Sequence, residues 1–146
     1  MRYNVYLICL IICCACNTSS NEFDLCSGKL HPYYYPELKY TGDFYAVKQH
    51  YYDNYKQVNS IKNSGIVRIQ FHVNCRGETG NYKVETYSFD YLKTELDLRI
   101  SKQLVQLTKS LTNWIPAENE DGETVNSHKF FAFKIKKGQL IDVLPK

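Results

Sequence analysis

The stretch GIVRIQFHVNCRGETGNYKVETYSF, residues 65–89, decides the fold. Val67, Ile69, Phe71, Val73 and Cys75 alternate with Arg68, Gln70, His72 and Asn74. A period of two is the mark of a strand with one buried face. RGETG then supplies two glycines for a turn, and Tyr82 and Val84 alternate with Asn81, Lys83 and Glu85. Two such runs around a short glycine-containing turn predict a β-hairpin. The apolar phase slips to Tyr87 and Phe89, which predicts a bulge near Thr86. Cys75 sits at the mouth of this hairpin. As a residue type it is open to four roles: nucleophile, metal ligand, packed thiol, or half of a disulfide.

Toward the C-terminus, Thr94 opens a helical pattern, with Asp97 three residues on as a variant capping box. Leu96, Ile100, Leu104, Leu107, Leu111 and Trp114 follow at steps of three and four. They form a stripe able to cover one sheet face, ended by Pro116. AENEDGET gathers Glu118, Glu120, Asp121 and Glu123 without the alternating ligands of a calcium loop, and reads as a solvated turn. Phe131, Phe133 and Ile135 then alternate with Ala132, Lys134 and Lys136 as a strand over 130–136. Lys137-Gly138 turns into a short closing strand, QLIDV. Toward the N-terminus, Phe44, Val47, Tyr51, Tyr55 and Val58 fall on one helix face after Asp43, a suitable N-cap. Residues 17–42 are rich in breakers and predict a tether and an irregular arm. In that arm the tyrosines of HPYYYPELKY suit stacking on a sugar or peptide partner or, as the plainer reading, anchoring the arm on the domain. The predicted class is α+β: a small antiparallel sheet of about three to four strands with two helices packed on one face.

With 146 residues there is material for one core. Hydrophobic residues make up 44 % and charged residues 23 %, which excludes a disordered chain. A net charge of +3 without a basic run gives no argument for nucleic acid. The start, MRYNVYLICLIICCAC, has Arg2 as its only charge, followed by an apolar run too short for the roughly 20 residues of a membrane span. It reads as a secretory signal. Ala15-Cys16 resembles the end of a bacterial lipobox, in which the cysteine is acylated and becomes the new N-terminus; Cys13 stands where leucine is usual. The expected organisation is a signal over 1–15, a lipid-anchored tether and arm over 16–41, and a domain over 42–146. NTSSNE after Cys16 suits a tether. Once the signal is removed and Cys16 carries lipid, Cys26 and Cys75 are the thiols left, in a compartment that permits disulfides. A Cys26–Cys75 bridge is therefore expected, against the alternative of two packed free thiols.

Catalytic signatures are lacking. The chain has no GxSxG, HExxH or Walker motif, and the glycines of GETGNYK do not have phosphate-loop spacing. Cys75 and His72 lie three apart on one strand and point to opposite faces, so they cannot share a proton there. His31, His50 and His128 can approach only through the fold, and no local spacing makes a metal site. The expectation is a non-enzyme with no cofactor and no metal. The alternative is an envelope thiol or redox protein, or an enzyme, using a free Cys75.

The order Gly65-x-Val67-x-Ile69-x-Phe71-x-Val73-x-x-x-Gly77, then Leu96-Asp97, then Trp114-Ile115-Pro116 and a terminal strand, resembles the TonB C-terminal domain family. The likeness covers about residues 65–145, and 42–64 loosely. It implies a fold, and a domain that binds a partner segment by adding it to a sheet edge. The chain departs from the family in two respects. It has a lipid signal and a short tether in place of a spanning helix and a Pro-rich reach, which excludes energy transduction by that route. Its Tyr35-Pro36 also lies far ahead of the first strand. Lysines at 129, 134, 136 and 137 suit an edge strand kept from self-pairing. The partner-binding edge is therefore expected at Phe131, Phe133, Lys134, Ile135 and Lys136, with an envelope protein or peptide as partner. The plainer alternative is that the arm or QLIDV already covers that strand.

Overall fold

A computed structural model describes residues 23–145. The predicted signal over 1–15 and the lipidation residue Cys16 lie outside the described residues. The elements run β1 (Leu30–Pro32), β2 (Lys39–Tyr40), α1 (Asp43–Asn54), β3 (Gly65–Val73), β4 (Thr79–Tyr87), α2 (Leu98–Lys109), β5 (Trp114–Ile115), β6 (Ala117–Glu118), β7 (Thr124–Lys136) and β8 (Gln139–Leu144). The class is α+β, with two helices and a mostly antiparallel sheet. That sheet has six strands, not three to four. The additional strands come from the arm, which supplies β1 parallel to β7, and from β6, which pairs with the start of β7.

The hairpin is β3–β4, and Arg68 faces Glu85 across it. Its bulge lies between Gln70 and His72, not near Thr86. Asn81 supplies the turn of backbone there at φ 53, a conformation asparagine tolerates better than most residues. On the other side of β3, β7 pairs from Gly65↔Ile135 to Val73↔Ser127. The odd-numbered residues Val67, Ile69, Phe71, Val73, Phe131, Phe133 and Ile135 are fully buried. Tyr51 of α1 meets Phe131 and Phe133 edge-on, and its hydroxyl bonds Thr108 of α2 at 2.9 Å. Lys109 of α2 lies over the ring of Tyr82, which stacks on Phe71. Both helices thus cover the face of Phe71 and Phe131.

Helix boundaries differ from the sequence expectation for local reasons. Asp43 does not cap α1: it has φ 59, and the N-cap is Gly42, left-handed and without a capping side chain. Asp97 is itself the N-cap of α2, accepting from the Arg99 amide at 2.9 Å. Thr94 instead donates its amide to the Thr86 carbonyl, extending the sheet edge. The α2 helix ends at Lys109, well before Pro116, while Leu111 and Trp114 stay buried beyond it. Nor is the arm irregular throughout. It lays Phe23 against Gly80, forms β1, turns through Tyr33–Glu37, buries Leu38 and pairs β2 with β5. No helix among the described residues is long and apolar enough to cross a membrane.

Candidate functional site

Cys26 and Cys75 are joined as a disulfide, with Cα atoms 6.0 Å apart. Beside it the buried Asn126 receives the Cys26 amide on its Oδ1 at 3.0 Å and donates Nδ2 to the Cys26 carbonyl at 2.8 Å. Asn74 donates to the Asp24 carbonyl at 3.0 Å. Two buried amide side chains and one covalent bond therefore hold the start of the arm on the hairpin end of the sheet. Cys75 has no free sulfur in this arrangement. His72 does not approach it as a base. It faces His128 across the β3–β7 ladder, on the sheet face away from the helices. Burial, with His128 alongside, lowers its pKa. No group of three or more His, Cys, Asp or Glu side chains suited to a metal occurs among the described residues.

The predicted partner edge is placed differently. Phe131, Phe133, Lys134, Ile135 and Lys136 lie in β7, which is internal. It pairs with β3 on one side, and with β1 and β8 on the other. The QLIDV segment, as β8, occupies the ladder of Ala132–Lys136. Phe131, Phe133 and Ile135 are core residues. Phe133, Lys134 and Ile135 have ladder neighbours on both sides, while Phe131 pairs with β3 alone and Lys136 with β8 alone, so β7 offers no continuous free edge over these residues.

Among the described residues the sheet is open elsewhere. On the outer side of β4, Thr86 and Ser88 bond to Thr94 and Leu92, so the segment 92–94 covers that end. Antiparallel ladders direct alternate residues to opposite sides. With Thr86 and Ser88 outward, Tyr82 and Val84 are outward too, and no strand among the described residues pairs with them. Val84 is 38 % exposed. Lys83 and Arg68 both lie within ion-pair distance of Glu85, at 3.3 and 3.7 Å, so one carboxylate is shared by two cations and a positive charge remains beside this edge.

A second concavity lies on the helix side, where β1 ends and β8 ends along β7. It holds about 600 Å³. Tyr33, Leu38 and Tyr40 come from the arm, Phe44 and Val47 from α1, Trp114 from β5, and Lys129 and Phe131 from β7. Lys129 is only 9 % exposed. Its Nζ stands 3.7 Å from the centre of the Tyr33 ring and 5.5 Å from that of Phe131. It has no ion pair or hydrogen bond among the described residues. Desolvation pulls its pKa down to about 8. Phe44 rests against Phe131, and Tyr40 meets Trp114 edge-on, so the walls are ring faces and edges held by one another.

No protein family, curated protein or solved structure matches the chain. The site therefore stands on its own geometry. Proximity in sequence groups Lys129 with the lysines of a solvated edge and hides its burial. The signal was present in the alternation: 129 is in phase with the core residues 131, 133 and 135, not with Lys134 and Lys136. Tyr33 packs on Phe130, as a residue anchoring the arm would. Its second role, as the ring under the Lys129 ammonium, depends on β1 and could not be seen from spacing.

Proposed function

We propose that the chain is a non-catalytic cell-envelope lipoprotein, held to a membrane through Cys16, whose domain binds an extended segment of an envelope protein or peptide by strand addition. The observation that carries this reading is the outer side of β4 at Tyr82 and Val84, which no strand among the described residues pairs with. Backbone groups there supply affinity for any extended chain, and the exposed Val84 with the charged Lys83 supplies selectivity. The segment 92–94 already pairs at one end of this edge, so an added strand would continue a ladder that has been started. The likeness of the Gly65–Gly77 run to the TonB C-terminal domain supports the same mode of contact. The alternative of a thiol or redox protein has less support, since Cys75 is bonded to Cys26.

Val84→Pro tests the reading. Its amide points outward, so proline removes a donor for the added strand while sparing the β3 ladder. A photoreactive residue placed at Lys83 in the native envelope should cross-link a partner. That adduct should disappear in Val84→Pro while circular dichroism stays unchanged. An adduct of equal yield in the folded proline variant, or no adduct in the parent, rules out strand addition at β4.

A further inference from the structure

We propose that the cavity around Lys129 is a binding site for a small organic monocarboxylate with an aromatic body, its carboxylate meeting the Lys129 ammonium and its ring lying among Tyr33, Tyr40, Phe44, Trp114 and Phe131. This site is separate from the β4 edge and does not depend on it.

Three features bear on the choice of ligand. The first is the ammonium itself. A lysine nine-tenths buried normally has a carboxylate beside it, because a buried charge without a partner is costly. Lys129 has ring faces instead, which compensate only part of the lost hydration. Lys129 lines the cavity. An anion entering there gains a charge-assisted hydrogen bond in a poorly solvated place, where such bonds are strongest. The second is the start of α1. Asp43, Phe44 and Val47 line the same cavity, and the helix has no side chain capping its first amides. The Asp43 carboxylate in that first turn offsets the positive potential of the helix start, which leaves Lys129 as the group that meets the anion. The third is the rim. Glu37 and Asp43 are carboxylates at the cavity's edge, with Lys39 beside Glu37 at 3.9 Å. Two acidic groups at the entrance disfavour phosphate, dicarboxylates and other polyanions more than a single carboxylate. The volume of about 600 Å³ falls in the range of small-molecule sites. Ring walls favour a planar apolar body, since aromatic pairs gain beyond their buried area.

The chain has one tryptophan, and it lies in the cavity wall, so its fluorescence reports on occupancy. The probes are 3-phenylpropionate, its neutral amide 3-phenylpropanamide, and inorganic phosphate, each titrated into the intact mature chain. The expected result is saturable change in Trp114 emission with 3-phenylpropionate, at an affinity about tenfold or more above the amide, as one charge-assisted bond requires. Phosphate should give no saturable change. In Lys129→Met, which keeps the volume, acid and amide should bind alike. Equal affinity of acid and amide for the parent protein shows an apolar cavity only and overturns the proposal. So does saturable phosphate binding, or the absence of any response to 3-phenylpropionate at millimolar concentration. The comparison of acid with amide needs no variant, so the proposal is decided even if Lys129→Met fails to fold.

Discussion

Gly138 and Lys129 show how single residues are constrained by what surrounds them. Gly138 sits at φ 74 in the β7–β8 turn. Its amide donates to the Asn63 carbonyl at 2.7 Å, and its carbonyl accepts from the Val58 amide and the Tyr55 hydroxyl. A Cβ here would run into the Val58 carbonyl. Gly138→Ala should therefore cost at least about 1 kcal/mol from the left-handed backbone alone, with more from the clash. Urea unfolding measures it, and an unchanged midpoint would show that the 58–63 loop does not hold the turn. Lys129 predicts a pH dependence. Burial holds its pKa near 8, against an ordinary 10.5. Between these values the unfolded chain keeps a proton that the folded chain has released, so stability rises with pH. Below about 8 the fold carries the buried charge and its full desolvation cost. The charged and titratable side chains around the cavity are Tyr33, Tyr34, Glu37, Lys39, Tyr40 and Asp43, and none of them forms an ion pair with Lys129. Burial also raises the hydroxyls of Tyr51 and Tyr55, that of Tyr55 to about 12, so stability falls once unfolded phenols ionise above the ordinary 10.0. The usable window is thus about pH 8 to 10. Within it the parent protein should gain stability relative to Lys129→Met. Parallel profiles for the two proteins would mean that Lys129 is better hydrated than its burial implies.

At the scale of elements, the sequence showed strongly what depends on local period and weakly what depends on neighbours. The alternation of Val67 to Val73 and of Phe131 to Ile135 identified β3 and β7 and their buried face. The stripe of Ile100 and Leu104 identified α2. Period says nothing about how many strands flank a given one, so the lysines alone make β7 resemble an edge. Lys134, half-buried, and Lys136, exposed, alternate with core residues on a strand that has partners on both sides, because the face away from the helices remains partly solvated. Two-residue strands such as β2 and β5 have no period to read at all. The internal position of β7 has a measurable consequence. Lys134 lies opposite Ile66 of β3 and Asp142 of β8. Lys134→Pro removes a ladder donor whichever neighbour receives it and leaves that carbonyl unpaired, at a cost of about 1–3 kcal/mol. Val84→Pro, on the open side of β4, should cost much less. If the two prolines lower the denaturation midpoint equally, the assignment of central and edge strands is wrong.

Across the whole molecule, the N-terminal arm is the part that sequence reading placed least well, and it joins the remaining features. It starts at the hairpin end of the sheet, becomes β1 beside β7, and closes one wall of the Lys129 cavity with Tyr33, Leu38 and Tyr40. Its route is set by contacts between residues far apart in sequence, such as Cys26 with Asn126, which no local pattern encodes. Ahead of the arm, the proposed anchor predicts that Cys16→Ser leaves the protein unprocessed or moves it out of the membrane fraction. A processed variant that still sediments with membranes would remove the case for lipid at that residue. The arm's own attachment is tested through Cys26 and Cys75, which close a loop of 49 positions. In the chain-entropy view such a bridge disfavours the unfolded ensemble by about 4 kcal/mol. The paired bonds of Asn126 to Cys26 remain when the bridge is cut, so the arm's first contacts should loosen before β1 and β2 separate from the sheet. The double variant Cys26→Ser, Cys75→Ser should therefore stay folded with a clearly lower urea midpoint, and a protease should cut it first ahead of β1. Reduction of the purified parent should add two hydrogens by intact mass and reproduce the variant's midpoint. If the mass does not change, or the midpoint of the double variant equals that of the parent, the arm is held by its hydrogen bonds and packing and the bridge contributes nothing to the fold.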